Sequence, residues 1–177
     1  MALVVETGAG VVGANTYVDV SYLNDYHWSR SNSLWAASTD KAKEAAALRA
    51  MAYIETFRFK GQRVAVEQAC NFPRTGIITR DGLEWPSASV PAAVKQAQAE
   101  GALRELVSPG TLLPDWAPGK GPKRLEKLGD MEEEWFKQDP NEGKYPFQII
   151  LRLLADFIMD PTADTSKTLY VFDVERT

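Results

Sequence analysis

Between Pro146 and Met159 only Gln148, Arg152 and Asp156 are polar. Spaced four apart, they cover roughly 80° of a helix with 3.6 residues per turn. Phe147, Ile149, Ile150, Leu151, Leu153, Leu154, Phe157, Ile158 and Met159 occupy most of the rest. Pro146 suits the first turn of such a helix and Asp160-Pro161 its end. A helix this apolar must be covered on most sides. One domain core covers only part of such a cylinder, so the remainder is expected to meet the chain's own end or a neighbouring subunit. Phe147, Ile150, Leu154 and Phe157 are the expected contact residues on the helix, with Leu169, Tyr170, Val171 and Phe172 on the following arm.

Three further helices are legible. Asp19 reads as an N-cap for a helix over about 19–30, with Val18 and Leu23 placed to close a hydrophobic staple. Ser38 or Thr39 caps an alanine-rich helix near 39–57, whose stripe is expected at Ala45, Leu48, Met51, Ala52 and Phe57. Pro91 opens a third over about 91–107, with Ala99, Ala102, Leu103 and Leu106 on its inner face. Small residues there permit close helix packing.

Between these lie stretches without a period. Residues 62–89 carry Pro73, Gly76, Gly82, Pro86 and the turn former Arg80-Asp81-Gly82. A loop of that length inside a small domain commonly serves partner contact. Lys123 to Leu128 and Met131 to Phe136 form a hairpin candidate turning at Gly129-Asp130. In a two-residue turn Leu128 faces Met131 and Lys127 faces Glu132, while Glu126 opposes Glu133 unfavourably. The expected fold is mainly α: a bundle of about four helices within residues 1–161, with a β-hairpin insertion near 123–136. An extended C-terminal arm follows over 162–177.

Length and composition narrow the function. The 177 residues suit one domain with a real core. A net charge of -4 argues against a broad electropositive face. One cysteine, Cys70, and one histidine, His27, exclude an intramolecular disulfide and a structural zinc site. The first residues lack a charged region followed by a long apolar run, so no signal peptide is expected. No apolar run approaches the roughly 20 residues of a membrane span.

The motifs that could carry chemistry lack their context. Gly8-Ala9-Gly10-Val11-Val12-Gly13 fits the dinucleotide fingerprint G-x-G-x-x-G. The helix should then begin inside the motif, yet the cap at Asp19 puts it later. His27, among Tyr22, Tyr26 and Trp28, reads as a packing residue, and Cys70 as a small core residue. No serine carries a nucleophile-elbow pattern, and Glu132-Glu133-Glu134 reads as a solvated face. No catalytic, metal or cofactor residue is assigned, and no enzyme is expected. Two basic clusters, Arg58, Lys60 and Arg63, then Lys120, Lys123, Arg124 and Lys127, stand near Phe57, Phe59 and Trp116. A nucleic-acid platform with stacked aromatics can be drawn from them, but a solvated charged face is the simpler reading.

Gly13-Ala14-Asn15-Thr16-Tyr17-Val18-Asp19, with the aromatic helix after it, resembles the opening of a family of tailed-phage neck proteins. That family carries the label DnaT-like single-stranded-DNA-binding protein. The resemblance continues through Trp35-Ala36-Ala37 and Phe72-Pro73-Arg74, where tryptophan is usual at the first place. It resumes at Arg80-Asp81-Gly82, Trp85-Pro86-Ser87, Val90-Pro91-Ala92-Ala93-Val94-Lys95, Lys123 to Trp135 and Lys144-Tyr145-Pro146. It implies a helical head-to-tail adaptor in the virion neck, made in the host cytoplasm. Its partners would be the portal, copies of itself in a ring usually matched to twelvefold symmetry, the next tail or stopper protein, and passing double-stranded DNA. Lys123, Arg124 and Lys127 would then face the DNA channel or a neighbour. Glu133 departs from the family's apolar residue, and the tail after Pro161 has no family role. The competing class is a single-stranded-DNA-binding replication protein, which needs a continuous basic groove. An oxidoreductase built on the glycine loop is the remote third.

Overall fold

Thr39 accepts a hydrogen bond from the Ala42 N–H at 3.3 Å and opens helix α3, Asp40–Glu55. Asp19 does the same for α1, Val20–Trp28, accepting from Tyr22 N at 2.7 Å. In this computed structural model the described residues are 2–113 and 147–159, together with the backbone of 125–128 and 131–134. Their elements in order are α1, α2 (Ser33–Ala36), α3, β1 (Gln62–Arg63), β2 (Arg74–Thr75), α4 (Ala92–Val107), β3 (Leu125–Leu128), β4 (Met131–Glu134) and α5 (Gln148–Leu154). The protein is mainly helical with a small hairpin, and α2 is a short helical turn between α1 and α3 that the sequence reading does not include. It exists to plant Trp35, which is buried while Leu34 beside it stays exposed.

The centre is α3 packed on α4, with α5 against α4. Alanines let the first pair approach: Ala46, Ala47, Ala50, Ala97, Ala99 and Ala102 are all fully buried. At Gly101 an added Cβ would stand 3.1 Å from the Ala50 Cβ and 3.2 Å from Leu112 Cδ1, so the crossing tolerates little more than hydrogen there. The expected stripe on α3 needs correction. Ala45 and Leu48 are half-buried and Ala52 is exposed, while Ala46, Ala47, Ala50, Tyr53 and Ile54 face inward with Met51. On α4, Ala99 and Ala102 are buried as expected and Leu103 and Leu106 half-buried.

A second correction concerns the last helix. It ends at Leu154, not near Met159. Ile158 instead forms an antiparallel bridge with Phe59, Lys60 N donates to Phe157 O at 2.8 Å, and Met159 N to Arg58 O at 2.8 Å. The backbone of residues 157–159 is thus shared: the N–H groups of Phe157 and Ile158 still donate to Leu154 O at 2.8 and 3.0 Å, while Phe157 O and Met159 N pair with the strap after α3.

Residues 62–89 are held from within. β1 and β2 pair antiparallel, Gln62 opposite Thr75. A second tight reversal follows at Arg80-Asp81-Gly82, where Gly82 N donates to Thr79 O at 3.0 Å and Ile78 bridges Glu84. Phe72 and Ile77 are fully buried, so the segment has its own reason to be ordered. The hairpin register is the expected one: Leu128 opposite Met131, Lys127 opposite Glu132, Glu126 opposite Glu133. Among the described residues no helix is long and apolar enough to cross a membrane.

Candidate functional site

The glycine loop is an anion cradle whose anion is already in place. Glu6 is fully buried. Its Oε1 accepts from Gly8 N at 2.8 Å and Gly10 N at 3.0 Å, and its Oε2 from Val11 N at 2.7 Å. Gly8 holds φ +106°, and a Cβ there would lie 2.5 Å from Ala88 O. Successive N–H groups in a turn form a concavity suited to phosphate or carboxylate. Here the chain's own carboxylate takes those donors, and α1 begins only at Val20. The fingerprint is therefore a structural device, and the acid two residues before the first glycine is the signal that marks it.

His27 is fully buried. Its Nε2 lies 3.1 Å from Ala99 O and its Nδ1 2.9 Å from Asn32 Nδ2. Those partners fix a neutral ring with the proton on Nε2, donating to the carbonyl and accepting from the amide. Trp35 lies against it, ring centroids 4.3 Å apart. Burial holds the ring below its ordinary 6.5. The folded state resists a proton that the unfolded chain takes near that value. The contribution is thus full above about pH 6.5 and declines as pH falls through it, levelling off below the folded value. Denaturant titrations should show wild type losing up to about 1.4 kcal/mol per pH unit across part of pH 7 to 5.5, a slope missing from His27→Gln. Equal slopes would mean that His27 charges freely in place.

Cys70 donates to Ala14 O at 3.4 Å, and burial pushes its thiol up to about 12. Such a thiol is a poor nucleophile. Among the described residues no cluster of three or more His, Cys, Asp or Glu could hold a metal ion.

The first basic cluster is largely engaged in holding the fold. Lys60 Nζ donates to Asp156 O at 2.9 Å and Arg63 to Asn71 Oδ1 at 3.1 Å. Arg80 pairs with Asp156 at 3.1 Å. Arg74, which sequence reasoning passed over, donates to the carbonyls of Phe59, Lys60, Gly61 and Asn71. Beside it, burial holds the Glu55 carboxyl above its usual range, while Tyr17 OH and Asn71 N donate to it. Phe57 and Phe59 point into the core at 6% and 4% exposure, so neither can stack a base. Of the cluster's side chains Arg58 and Arg63 are exposed.

A family model described as “Putative DnaT-like ssDNA binding protein” matches residues 1–177. The chain belongs to this family. No curated protein and no solved structure matches it. The Phe72-Pro73-Arg74 motif that carried part of the resemblance is thus a packing element of this DnaT-like chain. Phe72 is enclosed by Tyr17, Phe59 and Phe157, and Arg74 clamps the strap.

The residues expected at subunit contacts divide in two. Ile150, Leu154 and Phe157 are buried in the chain's own core, and Phe147 is half-buried against Tyr53. The large apolar side chains that this part of the chain exposes are Ile149 and Met159. Leu169, Tyr170, Val171 and Phe172 lie outside the described residues, as do Lys123, Arg124, Lys120 and Trp116. Lys127 falls in β3, opposite Glu132.

Proposed function

We propose that this chain is a non-enzymatic assembly protein, a head-to-tail adaptor that docks on a phage portal as one subunit of a ring. The observation that carries the reading is the ribbon β3–β4. Among the described residues it pairs with no other strand. An isolated two-stranded ribbon is marginal in water, and its open edges are templates for another chain. A ribbon inserted after α4 is what a subunit completed by its neighbours would carry. The acidic balance, net charge -4, also suits a channel wall past which double-stranded DNA must slide.

A second reading has its own support. The family description names single-stranded DNA as the ligand, and this favours a DNA-binding replication protein. Against it stand the buried Phe57 and Phe59 and the engaged cations Lys60 and Arg74, which leave the cluster without a stacking platform. Fluorescence anisotropy on a labelled oligonucleotide separates the two. The adaptor reading expects weak or absent binding at physiological salt. Submicromolar affinity that falls steeply with salt would establish the second reading. Mixing the protein with its portal under the electron microscope should add a ring; bare portals would sink the first.

A further inference from the structure

We propose that the groove between α1 and α2 receives Leu169-Tyr170-Val171-Phe172 from a second copy of this chain. This rests only on the self-association within the adaptor reading. Trp28, at the end of α1, is 81% exposed and Leu34, on α2, 63%. Trp28 lines the groove, and Leu34 stands in sequence between two of its lining residues, Ser33 and Trp35. The groove is lined by Asn24, Asp25, Trp28, Asn32, Trp35 and Lys43 among others. Its floor is rigid: Trp35 Nε1 donates to Asn24 Oδ1 at 2.9 Å, and Asn32 is held by His27. A preformed apolar floor with a polar rim is the surface an extended peptide needs.

Charge selects the occupant. Lys43 is buried to 7% exposure, yet the acid beside it, Asp40, is exposed and 3.8 Å away. Asp25 also lines the groove. The apolar segment of the arm is flanked by Lys167 before it and Asp173 after it. A cation and an anion bracketing an apolar block match a groove that offers Asp25 and Lys43.

Position favours a second copy over the same one. Lys43 belongs to the first turns of α3, whose 16 residues span about 24 Å. The chain is last described at Met159, hydrogen-bonded to Arg58 just beyond the other end of α3. Residues 160–168 reach roughly 30 Å fully extended, which leaves little slack to travel round the domain to its own groove. A donor at one end and an acceptor at the other make a head-to-tail contact, the kind that closes into rings.

The test uses the full chain carrying Leu34→Cys and Val171→Cys in a Cys70→Ala background, oxidised at high protein concentration. A ladder of disulfide-linked dimers and larger species is expected. A cross-link confined to monomers, or none, overturns the inference. Trp28→Asp provides the second reading: its melting temperature should match wild type, because Trp28 is exposed, while sedimentation shifts towards monomer. Unchanged association would overturn the inference as well. A ladder with bare portals would sink the neck reading alone, and decorated portals without a ladder would sink this inference alone.

Discussion

Arg74→Met is expected to destabilise the protein by about 4 kcal/mol, measured as a fall in the urea midpoint with an unchanged slope. The guanidinium donates from Nε to Lys60 O at 2.7 Å, from Nη2 to Gly61 O at 2.7 Å and Phe59 O at 3.2 Å, and from Nη1 to Asn71 O at 3.3 Å. Methionine fills much of the volume but leaves these carbonyls without their donor. Hydrogen bonds to a charged group contribute roughly 1.5–3 kcal/mol each, less where water can replace them. The damage should spread along the strap, because Lys60 N and Arg58 O hold the backbone at Phe157 and Met159. Amide exchange at Lys60 and Met159 should therefore accelerate more than in α3. Arg74→Lys should recover under half of the loss, since one ammonium cannot reproduce a planar fork. A Met variant within 1 kcal/mol of wild type would show that the strap stands without its clamp.

What the sequence disclosed was local. Asp19 and Thr39 announce their helices because a cap satisfies N–H groups two or three residues away. The hairpin register follows from a two-residue turn, for the same reason. The glycines were visible, but not the partner of their N–H groups. The end of α5 was hidden, since no breaker precedes Asp160 and the competitor for its backbone is Phe59, about a hundred residues earlier. Part of the excess of apolar residues over 147–159 disappears with that correction: Phe157 and Ile158 are buried in the core just after the helix, where the chain turns to pair with Phe59. Gln98 was hidden too. It is fully buried on α4, accepting from Tyr17 N at 2.9 Å and donating to Thr16 Oγ1 at 2.8 Å and Ala47 O at 3.0 Å. A polar residue on an inner face reads as a break in the stripe until two distant segments, at Thr16-Tyr17 and at Ala47, converge on it. The α3 stripe was displaced because elements pack on more than one side of that helix, and a single-face pattern does not describe it. For the candidate site, the basic residues were legible as a cluster. Their engagement with carbonyls was not, because a carbonyl acceptor has no residue type.

Glu6→Ala should cost roughly 3 kcal/mol, and Glu6→Gln about half as much. Three N–H groups, of Gly8, Gly10 and Val11, converge on one carboxylate. Alanine removes every acceptor, and Gly8 N is the donor with least access to water, since its bond is the buried one. Glutamine can turn its carbonyl oxygen to Gly8 and Gly10, in place of Oε1. It then presents an NH2 group to Val11 N, where Oε2 now accepts at 2.7 Å. Two donors meeting there lose a bond and repel, so the graded order Ala worse than Gln worse than wild type follows from geometry. Gly8 packs against Ala88 and Ser89, so loosening the loop also uncovers the turn before α4. Denaturant melts of the three proteins measure the order. Equal stability of wild type and Glu6→Ala would mean that the loop holds itself and that the carboxylate is incidental. Equal losses for Ala and Gln would instead place the whole effect on the negative charge. In either case the cradle would need a different account from the one its three short bonds suggest.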